Sequence, residues 1–429
     1  MPETVDAVIE VNSTSAPESS DQKLPSLWRN RAFTLLWGSQ AMSDLGSSMS
    51  NLALPLLTLA ITRSPVQAGV VGTAGALVRL ACQLPAGVVT DRFERRRLML
   101  AADAIRLIAY AILGFAVITD RVTLTWIIVT TVIVSVFNVA HENAQMGAIR
   151  NVVPLAQVPD ATARNEARGA AVSLVGPPIG GALYSLSRSV PFFADAISYL
   201  LSFVGVWLVR EPLQQERTEP HGHPVKELIE GVKFTLAEPF LRAVLFIAAP
   251  MNLAFNGLAF AIIVILQQQG TPPALIGVVE TIFGVGVLAG ALLAPWITRR
   301  VSLRQLAIGI TWLGVALIAI SATLTGSILV GVPMAMAIFF GPACNAALFG
   351  YQAAITPDRL QGRVVSVIFL AAMSLASVAA LLGGLLVHWW GGPAAILAFA
   401  AILSISAIAA TVSKGIRKMR PLSEIVAAG

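Results

Sequence analysis

Asp44 lies inside an apolar run, with Ser47, Ser48 and Asn51 at i+3, i+4 and i+7, the spacing of one helix face. A second apolar run carries Arg79, a fourth carries Asn138, His141, Glu142 and Gln145, and later ones carry Asn252, Asn256, Glu280 and Asn345. Carboxyl, guanidinium and amide groups set in hydrocarbon are costly and mark functional positions by default. The chemistry open to them is proton exchange and solute binding. A buried carboxyl takes and releases a proton, an adjacent arginine favours its charged form, and amides hold polar solutes without net charge. Asp44 and Arg79 each sit about 11 residues from the basic end of their runs, roughly 16 Å deep at 1.5 Å per residue. Sequential helices are usually neighbours, so an Asp44–Arg79 pair is expected. Asp44 or Glu142 is then the proton carrier, and Glu280, nearer the opposite side, is a further proton or substrate group. The competing explanations are permanent ion pairs and interhelical hydrogen bonds. Asp103 and Arg106, at i and i+3, read as a local pair buttressing the neighbouring loop.

These residues do not make an enzyme site. No nucleophile–base or metal constellation accompanies them. His141-Glu142-Asn143-Ala144-Gln145 begins like a zinc-protease helix but has Gln145 where the second histidine belongs. The chain has four histidines, none at ligand spacing, so neither a metal nor a cofactor is expected. No Gly-rich loop ending in Lys-Ser/Thr occurs, which excludes direct ATP drive from this chain.

The elements that position these groups must be membrane helices. The chain has 429 residues, 56% of them hydrophobic and 12% charged, with a mean hydropathy of +0.77. Soluble domains carry about 25% charged residues, and in lipid only helices or closed barrels satisfy the backbone. Twelve apolar runs, each near the roughly 20 residues that a spanning helix needs, predict an all-α polytopic membrane protein of two six-helix bundles, with the fifth helix at about 164–186. The expected division is a disordered tail over 1–31, a first bundle over 32–209, a linker over 210–238, a second bundle over 239–413 and a tail over 414–429. Val225, Leu228, Ile229, Val232 and Leu236 put one apolar stripe on a linker helix lying along the membrane face. The net charge of +6 gathers at helix ends, where it sets topology rather than binding nucleic acid. Alternating spans place Arg92, Arg95–Arg97, Arg150, Arg164, Arg168, Arg299, Arg300, Arg359 and Arg363 on one side. That side is the cytoplasm, with both termini in it and the protein in the inner (plasma) membrane. Cys82 and Cys344 lie in apolar runs and read as small core residues.

The two halves look like copies. Asp44-Leu45 and Ser48 correspond to Asn252-Leu253 and Asn256, and Asn138 corresponds to Asn345. Parallel six-helix repeats with a site between them are a transporter arrangement. Polar stripes on helices one, four, seven and ten then form a cavity from Ser48, Asn51, Asn138, His141, Gln145, Asn252, Asn256 and Asn345.

Two motifs carry a resemblance. Gly87-Val88-Val89-Thr90-Asp91-Arg92-Phe93-Glu94-Arg95-Arg96-Arg97 is similar to the loop between helices two and three of the major facilitator superfamily, with Glu94 in place of the usual second glycine. Gly176-Pro177-Pro178-Ile179-Gly180-Gly181 resembles the helix-five motif of the superfamily's drug:proton antiporters, with Val172 at an earlier glycine position. The texture is most similar to bacterial exporters of macrolides and siderophores. One difference is that helix four has no mid-membrane arginine, so coupling would rest on Asp44 or Glu142. The resemblance implies a gating loop of Gly87, Asp91, Arg92, Arg95, Arg96 and Arg97 whose acid meets Arg363 of the other half. It also implies a monomer in the bilayer that exports a small amphipathic organic molecule against protons by alternating access. An importer of a small solute on the same fold is the alternative, and a membrane sensor a more distant one.

Overall fold

The computed structural model describes residues 26–214, 224–417 and 419, apart from the side chains of residues 84, 88, 91 and 224–228. Of the expected N-terminal tail over 1–31, residues 1–25 lie outside them, while Leu27–Arg29 form a short 3-10 turn with Leu27 buried. Six long helices form the first bundle: α1 (Arg31–Thr62), α2 (Pro65–Arg92), α3 (Arg95–Ile118), α4 (Leu124–Val152), α5 (Val158–Leu186) and α6 (Val190–Leu208). Local chemistry sets their starts. Asn30, Ser64 and Thr123 cap α1, α2 and α4 by accepting from Phe33, Gln67 and Trp126 backbone N–H groups. Proline opens α2, α5 and α6, where its missing N–H costs nothing.

A linker helix, α7 (Pro224–Ala237), leads to the second bundle of α8 (Pro239–Gln268), α9 (Pro273–Arg300), α10 (Leu303–Ser321), α11 (Gly331–Phe339), α12 (Gly341–Ile355), α13 (Gln361–Ala376) and α14 (Ala379–Val412), followed by the short α15 (Lys414–Arg417). Among the described residues eleven segments are long and apolar enough to span. The last, Asp358–Val412, has 55 residues and turns back at Gly391, where φ is 76°. Glycine alone takes that backbone without strain, and Pro393 two residues later starts the returning helix. The crossings are therefore twelve, as the apolar runs predict. Two of them are broken. The tenth is α11 plus α12, parted at Phe340 because Pro342 cannot donate into the preceding turn. The eleventh is α13 plus the first part of α14, parted at Ser377–Val378.

Along α7, Ile229 and Leu236 are exposed while Thr235 is buried and Gly231 lies against the backbone of Arg363. The linker helix thus packs on α13 through its small residues and turns apolar ones outward.

Both bundles begin and finish at one end of the molecule, here called the basic end for its arginines. At the opposite, far end the halves touch. Gln267 Nε2 donates to the Leu56 carbonyl at 2.8 Å, Thr281 Oγ1 to the Leu174 carbonyl at 3.0 Å, and the Leu381 N–H to Thr73 Oγ1 at 3.0 Å. Glycines make the approach possible. A Cβ on Gly277 would fall 2.4 Å from the Pro177 carbonyl oxygen, and one on Gly384 2.3 Å from that of Pro65. Nearer the basic end α2 exposes Leu77 and α9 exposes Leu292 and Leu293.

Candidate functional site

Two cavities adjoin at Asn256. One, of about 670 Å³, is lined chiefly by the first bundle, including Asp44, Ser47, Ser48, Asn51, Arg79, Asn138, Glu142 and Tyr199. The other, of about 550 Å³, is lined by the second bundle, with Asn252 and Asn345 among Met251, Phe255, Phe283, Met334, Phe369 and Met373. Asn256 borders both. A polar, charged wall therefore faces an apolar, methionine- and phenylalanine-rich one.

The expected Asp44–Arg79 pair does not form. Arg79 Nη2 lies 3.3 Å from Glu142 Oε1, and the two side chains are 49% and 40% exposed. Asp44 is bound by Arg168, Nε to Oδ2 3.1 Å, and by Gln40 Nε2 at 2.6 Å. Helix packing explains the exchange. In this bundle α2 lies chiefly against α4, and α1 against α5 and α6. Helix α5 also starts at Val158, six residues before the predicted 164. Arg168, counted above among the topology-setting bases, therefore stands about 15 Å along its helix at 1.5 Å per residue and reaches Asp44.

The Asp103–Arg106 pair is no loop buttress either. Both side chains are 0% exposed, and their ion pair is the centre of a dry network. Arg106 Nη1 donates to Asn138 Oδ1 at 2.7 Å, Asn138 Nδ2 to Glu142 Oε1 at 2.9 Å, and Ser202 Oγ to Asp103 Oδ2 at 2.9 Å. The guanidinium also rests 4.3 Å over the Tyr199 ring, and the Tyr199 hydroxyl is 3.0 Å from Ser47 Oγ. A continuous hydrogen-bonded path thus links Arg79 and Glu142 in the cavity to Asp103. His141 and Gln145, expected in the cavity, face away from it. His141 is buried with Nε2 3.4 Å from Asp103 Oδ2, and Gln145 donates to the Leu36 carbonyl at 3.1 Å, tying α4 to α1. Asn252 and Asn256 border the cavities while donating to Ala248 and Asn252 carbonyls of their own helix.

Three participants escaped the sequence reading. Arg168 was hidden by the misplaced start of α5. Asp195, fully buried in α6, carried the same signal as Asp44, an acid within an apolar run. Tyr199 gave no signal, because an aromatic in a membrane helix has no distinctive pattern.

Glu280 sits on α9 between Gly277 and Gly284, the residues that meet α5, and its Oε1 is buried without a partner. The helix-five glycines are contact points. A Cβ on Gly176 would lie 2.3 Å from Ser48 Oγ, on Gly180 2.7 Å from Met49 Cα, and on Gly181 2.2 Å from the Pro273 carbonyl oxygen. Pro177 supplies the carbonyl beneath Gly277. The motif holds α5 against α1 and, across the halves, against α9.

At the basic end α2 continues through Arg92, so Asp91 and Arg92 end a helix instead of forming a loop. The Gly87 carbonyl accepts from Thr90 Oγ1. Arg95 binds the Leu213 carbonyl and lies over Gly147, Arg96 Nη2 donates to the Trp207 carbonyl at 2.6 Å, and Arg97 pairs with Glu94 at 2.6 Å. The Asp91 side chain, and with it the expected Asp91–Arg363 contact, lies outside the described residues. Arg363 pairs with Glu230 of α7, as does Arg359 at 2.5 Å.

Two six-helix bundles with charged and polar groups gathered where they meet are a transporter arrangement. The sequence model of the Major Facilitator Superfamily matches residues 36–270, more than half of the chain, and the chain belongs to that family of transporters. It is 26% identical over 409 residues to the uncharacterized MFS-type transporter YfiS of Bacillus subtilis, covering 92% of this chain and 96% of that one. It is 27% identical over 401 residues to the multidrug efflux pump Tap of Mycobacterium tuberculosis, covering 87% and 90%. With macrolide efflux protein A of Streptococcus pyogenes the identity is 24% over 275 residues, covering 62% and 66%. Among solved structures, a bacterial homologue of the lysosomal transporter Spinster in an inward-facing, unoccupied conformation superposes with a TM-score of 0.69 at 15% identity, covering 92% of this chain and 100% of that chain. A bacterial ferroportin homologue in an inward-facing state superposes at 0.61 and 16%, covering 92% and 99%. These two likenesses concern the fold.

Proposed function

We propose that this transporter exports an amphipathic organic compound from the cytoplasm in exchange for protons. The observation that carries the reading is the half-exposed Arg79–Glu142 pair on the polar wall of a cavity whose other wall is apolar. A ligand with one polar and one greasy face suits both walls, and methionine adapts to varied shapes. The excess of arginines at the basic end supports a cytoplasmic placement of that end and of both termini, in the plasma (inner) membrane. On this orientation the cavity opens inward, the state that loads an exported substrate. Efflux pumps among the relatives, at low identity, support the direction.

Coupling follows from the ion pairs. A proton on Glu142 removes the charge that holds Arg79, and a proton on Asp44 does the same for Arg168. Either event changes the cost of keeping the cavity wall dry and so biases which side is open. The test is efflux of the cationic dye ethidium from cells, with and without a protonophore, for wild type, Asp44→Asn and Glu142→Gln. Uncoupler-sensitive efflux that is lost in one of the two variants is the expected result. Efflux indifferent to uncoupler and to both substitutions would refute proton antiport through these acids.

A further inference from the structure

The buried charges of the first bundle do not balance. Arg79 and Glu142 close one pair, and Arg168 and Asp44 another, both at the cavity. Behind them lies the dry layer of Asp103, Arg106, His141 and Asp195, each 0% exposed. Arg106 gives its contacts to Asp103 and Asn138, and no salt bridge among the described residues reaches Asp195. Asp195 Oδ1 accepts from Ser198 Oγ at 3.1 Å, while Oδ2 is buried without a hydrogen-bond partner. Ser50 Oγ, one turn beyond Gly46 on the facing helix α1, is buried beside Asp195 and Tyr110.

The helices packed on α6 bring no spare cation. On α1 the facing residues are Gly46 and Ser47, and its acid Asp44 is turned to Arg168. On α3 the titratable groups are Asp103, Arg106 and Tyr110, the last stacked on Tyr199 and Phe192. On α5, Arg164 lies over Trp28, Glu166 is exposed, Arg168 is taken by Asp44, and Tyr184 near the far end is buried without a partner. A proton on His141 would not relieve Asp195, because the acid beside His141 is Asp103. An ionised carboxylate without a counter-charge is heavily penalised in such a setting, and a proton on the carboxyl removes the penalty.

We infer that Asp195 is a proton site of the transport cycle, still occupied when the basic end opens and then emptied into the cavity there through the Tyr199 and Ser47 hydroxyls. The inference rests on the antiport reading above and adds to it a residue and a route. Tyr199 lies one turn along α6 from Asp195, its hydroxyl is 3.0 Å from Ser47 Oγ, and both residues border the cavity. The step is a proton transfer alone. The Asp195 O–H bond breaks, cavity water accepts the proton, and the carboxylate left behind competes with Asp103 for Arg106. Movement of α1 controls it, because only Gly46 separates that helix from Asp195. A Cβ there would fall 2.4 Å from Asp195 Oδ1 and 2.1 Å from Ser198 Oγ, so any slide of α1 directly changes what covers the carboxyl.

The experiment uses the full chain in proteoliposomes and reads two quantities. Infrared difference spectra between acidic and alkaline pH report the C=O stretch of a protonated carboxyl, and ethidium efflux under an imposed pH gradient reports coupling. Asp195→Asn is expected to remove a carboxylic-acid band that Asp44→Asn and Glu142→Gln both keep, and to slow gradient-driven efflux by about tenfold or more. Asp195→Glu should keep a shifted band and part of the coupling, and it replaces the asparagine variant should that one not elute as a folded monodisperse protein. An unchanged band in Asp195→Asn, or full gradient-driven efflux without it, overturns the inference. Wild-type efflux indifferent to the gradient would refute antiport and with it the cycle role, whereas the infrared comparison separately decides whether Asp195 holds the proton.

Discussion

Arg79 and Arg106 are both arginines paired to an acid, and their surroundings give them opposite roles. Arg106 and Asp103 are sealed from solvent, so removing the cation leaves a buried carboxylate uncompensated. Arg106→Gln is expected to cost about 3–5 kcal/mol and to lower the thermal midpoint in detergent accordingly. A variant that melts with wild type would show that Arg106 is not what holds this network. Arg79 is half exposed beside Glu142, and pairs so placed contribute about 0–1 kcal/mol. Arg79→Gln should therefore melt close to wild type while losing coupled efflux. Spacing along the chain made both arginines visible and paired Arg106 with Asp103, but it could not pair Arg79. Asp44 chose Arg168 over Arg79 because α5, not α2, presents a base to that face of α1.

Small residues decide how closely the helices approach, and hence which side chains meet. Gly180 lies against the backbone of Met49, and a Cβ there would sit 2.7 Å from Met49 Cα. Backbone cannot step aside as a flexible side chain can, so Gly180→Val should cost about 1–3 kcal/mol through overpacking and reduce the yield of folded protein. Gly87 has nothing within 4 Å of its would-be Cβ, and Gly87→Ala should leave stability unchanged. Equal melting of the two variants would remove the packing explanation for the helix-five glycines. Most helices, and the turn near Gly391 between the last two crossings, were legible as apolar runs, whereas the breaks at Phe340 and Ser377 inside crossings were not. Hydropathy averages over a window, and a break of one or two apolar or small residues leaves that average untouched.

The whole molecule is held shut at the far end by backbone-close contacts between α2 and α14 and between α5 and α9. If the halves rock about the central cavity, this seal must open in every cycle. Thr73 Oγ1 accepts from the Leu381 N–H at 3.0 Å, which puts the two positions within reach of a disulfide. In a background with Cys82 and Cys344 changed to serine, Thr73→Cys combined with Leu381→Cys should cross-link under oxidation. Dye transport should then stop while dye binding from the basic end persists, and reduction should restore transport. Undiminished transport by the cross-linked protein would refute opening at this seam.

What the sequence alone determined is what depends on composition and local order: a membrane protein, twelve crossings, two similar halves, the sidedness of charge and the short roll of polar residues inside the apolar runs. These follow from the cost of placing charge and unpaired backbone in hydrocarbon, which acts on each segment by itself. Only the tertiary structure decided that Glu142 meets Arg79, that Asp44 meets Arg168, that His141 and Gln145 turn from the cavity and that no salt bridge among the described residues reaches Asp195. Those outcomes depend on the rotation and depth of each helix against its neighbours. Rotation and depth are set by glycine contacts between residues far apart in the chain, and a difference of six residues in one helix start suffices to change the partner.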